Sequence, residues 1–117
     1  MPCVHEFCIM PQDPGPEEEF TYTPEKFPDQ AVVDDDDLNE WAGRHRDALW
    51  SIPVYYHERS RPDVGLAWYG ITLIPPSSAP AFLELLAGDP EKEKFAGLAG
   101  LLHRAAAQNK FIIHYGI

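Results

Sequence analysis

Proline is concentrated near the start of the chain, where it makes up five of the twenty residues 11–30. A proline fixes its own φ angle and has no backbone N–H to donate, so neither a helix nor a sheet ladder continues through this segment. Gly15 and the glutamate run 17–19 weaken regular structure further. We therefore expect a short strand over residues 3–10, followed by a proline-rich acidic loop over residues 11–30. Phe20, Tyr22 and Phe27 are candidates for anchoring this loop to the domain.

The rest of the chain predicts helices and strands in a definite order. A first helix is indicated by residues that recur at helical spacing, namely Leu38, Trp41, His45, Ala48 and Leu49. Residues 52–59 and 66–74 are apolar runs separated by turn residues, which predicts an antiparallel hairpin with the second run in the centre of a sheet. A helix over residues 78–108, split near Gly88, and a strand over residues 111–117 complete the chain.

This element order is that of a single βαββαβ domain, which occupies residues 1–117. It predicts a ferredoxin-like sandwich with four antiparallel strands in the spatial order 4-1-3-2. Both helices, including the split second one, would pack on one face of the sheet. The first strand would lie beside the C-terminal strand, and the other sheet face would be open to solvent, a partner or a second copy.

Negative charge is concentrated in residues 11–47, which hold twelve acidic and three basic residues of a chain with net charge −10. Such a field attracts basic surfaces and repels nucleic acid and anionic membranes. Part of the charge has a local explanation, since aspartates at a helix N-terminus cap it and interact favourably with its dipole. Capping explains one or two of four consecutive aspartates. The predicted residues for binding a basic partner are Glu17, Glu18, Glu19, Asp34, Asp35, Asp36 and Asp37.

An alternative site is suggested by titratable and aromatic residues on the strands. Alternation places Tyr55, His57 and Arg59 on one face, and His114 is expected on the open face because its neighbours in the last strand resemble core residues. Imidazole side chains on such a surface suit small-anion binding or acid–base work. The alternative ligand-binding set is His5, Tyr55, His57, Arg59 and His114. An ordinary amphipathic sheet, or a homodimer formed through this open face, explains the same pattern.

Two candidate metal-binding motifs in the sequence are rejected because each lacks a required residue. Residues 57–61 lack the second histidine of a zinc protease, and residues 35–40 have Glu where a calcium loop needs Gly. His57 is too far from His114 in the predicted sheet for shared metal ligation, although His5 and His114 remain close enough. We expect no catalytic residues, no metal and no cofactor. Cys3 and Cys8 are expected to be reduced thiols.

No secretory signal pattern or long apolar segment is found, so we expect a cytoplasmic protein without membrane association. Three strings, His5-Glu6-Phe7, residues 69–77 (YGITLIPPS) and residues 113–117 (IHYGI), resemble those of a family of short uncharacterised bacterial proteins. That resemblance implies no activity. The small acidic format is also similar to that of immunity proteins, which neutralise basic toxins.

Two functional hypotheses follow. The first is a non-enzymatic bacterial protein-binding module whose acidic residues engage a basic partner, as immunity proteins do. The second is a small-molecule-binding or enzymatic dimer that uses the open sheet face.

Overall fold

The computed structural model describes residues 3–117. Its strands and α-helices are, in chain order, β1 (Val4–Ile9), β2 (Gln30–Asp34), α1 (Asp35–Arg44), α2 (Arg46–Leu49), β3 (Pro53–Tyr56), β4 (Pro62–Val64), β5 (Ile71–Ile74), α3 (Ala79–Ala87), α4 (Ala96–Ala107) and β6 (Ile112–Tyr115). Two short 3₁₀ helices, Pro24–Lys26 and Lys92–Phe95, precede β2 and α4. No helix within residues 3–117 is both long enough and apolar enough to cross a membrane.

The strands form one sheet in the order β2-β1-β6-β5-β3-β4, and every neighbouring pair is antiparallel. The two central strands, β6 and β5, are buried at every position. Pro62 lies in the edge strand β4, which pairs with β3 on one side only. A residue without a backbone N–H is tolerated at such an edge. The sheet therefore places its most apolar strands in its middle.

The prediction of a four-stranded ferredoxin-like sheet is wrong, because the sheet has six strands in a different order. Residues 30–34 alternate between exposed and buried side chains and pair with β1. The sequence analysis did not predict this strand. Residues 62–64 were expected to be a turn, but they pair with β3. In addition, β6 lies between β1 and β5, whereas a ferredoxin-like sheet would place β1 directly beside β5.

All four described α-helices contribute to one layer of the main core, on one face of the sheet. Its largest fully buried side chain is Trp41 of α1. Asp34 caps α1, because its carboxylate accepts hydrogen bonds from the backbone N–H groups of Asp36 (3.1 Å) and Asp37 (3.4 Å). The α-helical part of this core consists of Leu38, Trp41, Ala42, Leu49, Ala79, Phe82, Leu86, Leu98, Leu101, Leu102 and Ala105.

The opposite face of the sheet is covered in part by the proline-rich segment. Phe20 and Phe27 pack there against a second cluster of buried residues that includes Leu73 and Ile113. Sequence analysis expected this face to be open. The covered face accounts for the burial of β5 on both sides, because Leu73 meets this cluster while Ile74 meets the helices.

The connection from β4 to β5, residues 65–70, is fixed by the end of the chain. The backbone N–H of Gly116 donates to the carbonyl of Gly70 (2.8 Å), and that of Ile117 donates to the carbonyl of Trp68 (3.0 Å). A Cβ atom at Gly116 would lie 2.1 Å from the Trp68 carbonyl oxygen, so only glycine permits this approach. The connection is therefore held rigidly in spite of its length.

We expect Gly116→Ala to destabilise the fold by about 3 kcal/mol, because the methyl group displaces backbone rather than a flexible side chain. The matched control is Gly97→Ala in α4, where a Cβ meets nothing within 4 Å. That variant should be unchanged or more stable by about 0.5–1 kcal/mol, since alanine favours a helix. Urea unfolding followed by circular dichroism measures both. Equal stability of the two variants would contradict the steric account.

Candidate functional site

Three fully buried polar residues, His5, Thr72 and His114, lie on neighbouring strands and face the helical layer. Thr72 on β5 is directly opposite His114 on β6. His5 on β1 lies two residues before Phe7, which is opposite His114. Because side chains two residues apart share a sheet face, this register brings all three together. Asp35, the first residue of α1, meets His5 from the helical side.

These four side chains form one hydrogen-bonded chain. His5 Nε2 lies 2.7 Å from Asp35 Oδ1, and His5 Nδ1 lies 2.9 Å from His114 Nε2. His114 Nδ1 lies 3.0 Å from Thr72 Oγ1, which also accepts from the backbone N–H of Ala67 at 2.8 Å. All four ring nitrogens are used, which leaves none for a metal. We call Asp35, His5, His114 and Thr72 the polar relay.

The ends of the polar relay limit the direction of its hydrogen bonds. An ionised Asp35 can only accept, so His5 donates to it from Nε2. When Thr72 donates its hydroxyl proton to His114 Nδ1, His114 donates from Nε2 to His5 Nδ1. This direction requires His114 to be neutral. Burial, together with the nearby His5, holds the pKa of His114 well below its usual value, which agrees with that requirement.

Asp35 connects the buried relay to the molecular surface. Its side chain is 21% exposed, and its Oδ1 accepts a second hydrogen bond from the Trp68 indole N–H at 3.0 Å. The His5 and Trp68 rings pack edge to face with their centroids 4.7 Å apart. Oδ2 takes part in neither hydrogen bond. Two donors with fixed positions thus orient a carboxylate that is still accessible to a ligand.

A surface cleft of about 410 Å³ lies over this carboxylate. On the side of the cleft formed by α1, Ala42 and Gly43 have no large side chains. The 65–70 connection contributes the rings of Trp68 and Tyr69. We call this the Asp35 cleft, and its lining residues are Asp35, Asn39, Ala42, Gly43, Arg46, Trp50, Trp68 and Tyr69. It combines one oriented negative charge with three aromatic side chains.

The four predicted aspartates have different roles. Asp34 caps α1, Asp35 belongs to the polar relay, and Asp37 forms an ion pair with Lys94 at 3.3 Å. Asp36 is exposed. In the predicted acidic loop, Glu17, Glu18 and Glu19 are exposed, and a carboxylate oxygen of Glu18 accepts from the Gly15 N–H at 3.1 Å. The seven residues predicted to bind a partner therefore do not form one uniform surface, and their binding role stays a prediction.

The alternative ligand-binding set is divided between the two sheet faces. The structure brings His5 and His114 together, but in the helical layer and not on the face expected to be open. Tyr55 packs on the opposite face, where the Arg59 guanidinium lies over its ring at 5.7 Å. His57, with φ of 67°, packs against Gly70. The expectation that His114 shares a surface with these residues is therefore wrong, because Ile113 and Tyr115 occupy the other face.

Sequence reasoning missed Thr72, Trp50, Trp68 and Tyr69. A usable signal existed for Thr72, since it is the one polar side chain in the apolar run 66–74. A buried polar residue needs a hydrogen-bond partner, and His114 is the only polar side chain in a similar apolar strand. No local pattern separates Asp35 from the three aspartates beside it.

A buried carboxylate, that of Asp89, supports the same helix from its other end. Asp89 accepts hydrogen bonds from Arg44 Nη2 (2.9 Å), His45 Nε2 (2.7 Å) and the Glu91 backbone N–H (2.9 Å). Burial favours the neutral acid, but the hydrogen bonds outweigh it and lower the pKa of Asp89 to about 2. The contacts join the C-terminal end of α1 to the link between α3 and α4.

Comparison of the chain with protein-family models, with curated proteins and with solved structures gives no match. The resemblance to short bacterial proteins stays a prediction.

The polar relay makes stability depend on pH with a definite sign. Unfolded His114 binds a proton below pH ~6.5, whereas the folded protein keeps it neutral, so falling pH favours unfolding. Between pH 7 and pH 5, wild type should lose about 2 kcal/mol more stability than His114→Gln, which cannot titrate. His103→Gln changes an exposed histidine and should keep the wild-type pH dependence. Urea unfolding at both pH values measures this difference, and parallel curves for wild type and His114→Gln would refute it.

Proposed function

We propose that this chain is a protein-binding module that captures a basic partner by taking an arginine or lysine side chain into the Asp35 cleft. The observation that carries the proposal is the oriented carboxylate of Asp35, which is held by His5 and Trp68 and lines a cleft with three aromatic side chains. Because the donors are already in place, a ligand cation does not have to order the carboxylate. Preorganisation of this kind lowers the cost of binding.

The shape and chemistry of the cleft favour arginine over lysine. A guanidinium group is planar, stacks on aromatic faces and pairs with a carboxylate through two N–H groups. Trp68 places its indole ring at Asp35, and Trp50 lines the same cleft. Arg46 also lines the cleft, but it is exposed, so solvent and salt screen its charge. We expect Arg46 to weaken cation binding modestly without preventing it.

The charge of the whole chain supports a basic partner. The net charge is −10, and most of it lies in the segment that contains Asp35. Such a field accelerates encounter with a basic protein at low salt. Because the acidic format also resembles that of immunity proteins, a basic bacterial toxin is the partner class that we propose to try first. We do not propose a homodimer through the sheet face opposite the helices, because Phe20 and Phe27 cover part of that face.

A second candidate function, acid–base chemistry on a small molecule, is favoured by the polar relay. Asp35 is accessible, and its hydrogen-bonded neighbours could adjust their proton positions when it gains or loses charge. In that case Asp35 would be the general base, and a neutral small substrate would bind as well as a cationic one.

The first proposal is tested with Nα-acetyl-arginine amide as the probe and its neutral citrulline analogue as control. The chain has three tryptophans, so NMR of the indole N–H groups reports each one. Trp50 and Trp68 line the cleft, whereas the Trp41 N–H faces the Leu85 carbonyl inside the fold. The arginine probe should shift the first two resonances and leave that of Trp41 in place.

Two aspartate-to-asparagine variants separate the effect of the Asp35 charge from the effect of side-chain shape. Asp35→Asn keeps an acceptor oxygen for His5 and Trp68 but removes the charge, and should weaken the arginine probe about tenfold or more. Asp36→Asn, one residue further along, is the matched control and should bind as wild type does. Equal shifts with arginine and citrulline would favour the second candidate. Unchanged affinity in Asp35→Asn would refute the first.

A further inference from the structure

Exposed hydrophobic side chains are concentrated on one part of the surface. Among residues 3–117, the large hydrophobic side chains that are exposed are Tyr22, Val32, Trp50, Val64, Tyr69 and Ile117. Trp50 lines the Asp35 cleft, Tyr22 and Ile117 line a neighbouring cleft, and Tyr69 lines both. Single exposed hydrophobic residues are ordinary, whereas a cluster of them around concave surfaces marks an interaction site.

The neighbouring cleft has a volume of about 520 Å³ and a more apolar character than the Asp35 cleft. Among the described residues that line it, none has an acidic side chain, and the imidazole of His57 is the one basic group. We call it the second cleft, and the residues that define it here are Tyr22, His57, Tyr69, Ile71, Tyr115 and Ile117. Such a lining suits an apolar side chain.

The walls of the second cleft are held in place. The Tyr22 ring packs edge to face on Tyr115 with centroids 5.1 Å apart, and its hydroxyl donates to Glu6. His57 takes an unusual left-handed backbone conformation, with φ of 67°, and its ring lies against Gly70. The same Gly116 that packs on Trp68 also lines this cleft. A ligand would therefore meet a cleft that is already formed.

Tyr69 lies between the two clefts. It is 81% exposed, the highest value among the exposed large hydrophobic residues, although the connection that carries it is fixed at Trp68 and Gly70. An exposed aromatic ring on a rigid backbone is well suited to the centre of a protein interface, because little freedom is lost when it is covered.

We propose that the second cleft takes an apolar side chain of the same basic partner, so that the surface recognises a basic and an apolar residue on one extended segment that crosses Tyr69. This inference rests on the proposed function. The charge identifies the occupant, since a second copy of the chain would bring another net charge of −10 to this surface and be repelled. An anionic membrane surface is disfavoured for the same reason.

The probes are acetylated and amidated peptides with one arginine and one leucine, separated by glycine spacers of increasing length. In matched peptides, serine replaces the leucine. At the best spacing, the leucine peptide should bind roughly tenfold more tightly than its serine counterpart, as expected for burial of one apolar side chain. It should shift the indole resonances of Trp50 and Trp68 and also the backbone amides of Gly70 and Gly116.

A variant of the second cleft separates the two contributions. Tyr22→Ser changes a side chain that is 61% exposed, so the fold should be retained. This variant should lose the leucine gain and keep wild-type affinity for the serine peptide. Val32→Ser, which removes an exposed side chain outside both clefts, is the matched control and should keep the gain.

The outcomes distinguish the two proposals. If the serine peptides bind through arginine but leucine adds nothing at any spacing, the inference about the second cleft is overturned and the proposed function stands. It is also overturned if leucine adds affinity that Tyr22→Ser does not remove. If no arginine peptide shifts the Trp50 and Trp68 resonances, both proposals fail.

Discussion

The contact between His5 and His114 is the interaction on which the rest of the structure depends. Both side chains are fully buried, and their rings meet at 2.9 Å between β1 and β6. A buried imidazole that loses its partner costs about 1–3 kcal/mol for each unsatisfied group. The contact therefore favours the observed register of β1 against β6, and His5 also meets Asp35 at the start of α1. The same hydrogen bonds stabilise the core and orient the only relay member that a ligand can reach.

Much of the local structure could be predicted from the sequence. The helical spacing of Leu38 and Trp41, the glycine at position 88 and the apolar run before Pro75 all correspond to elements of the fold. What could not be predicted was the number and order of strands. Two segments of a few residues, 30–34 and 62–64, form strands only because an edge was available to pair with. Such pairing is decided by tertiary contacts and leaves a weak local pattern.

The site was predicted less well than the fold, for a related reason. His5, His114 and Asp35 were each identified, but they were assigned to two separate sites. The last strand has apolar residues on both faces, so alternation alone could not show which face His114 shares. The aromatic walls come from Trp50, Trp68 and Tyr69 in connecting segments, where no periodicity exists to mark them.

The separation of 109 residues between His5 and His114 has a consequence for the order in which the clefts form. The polar relay joins the first and last strands, and residues 116 and 117 fix the connection that carries Trp68 and Tyr69. Neither cleft is complete until β6 has inserted between β1 and β5. During synthesis, the acidic segment is therefore made well before β6, and both clefts form only after β6 has paired with its two neighbours.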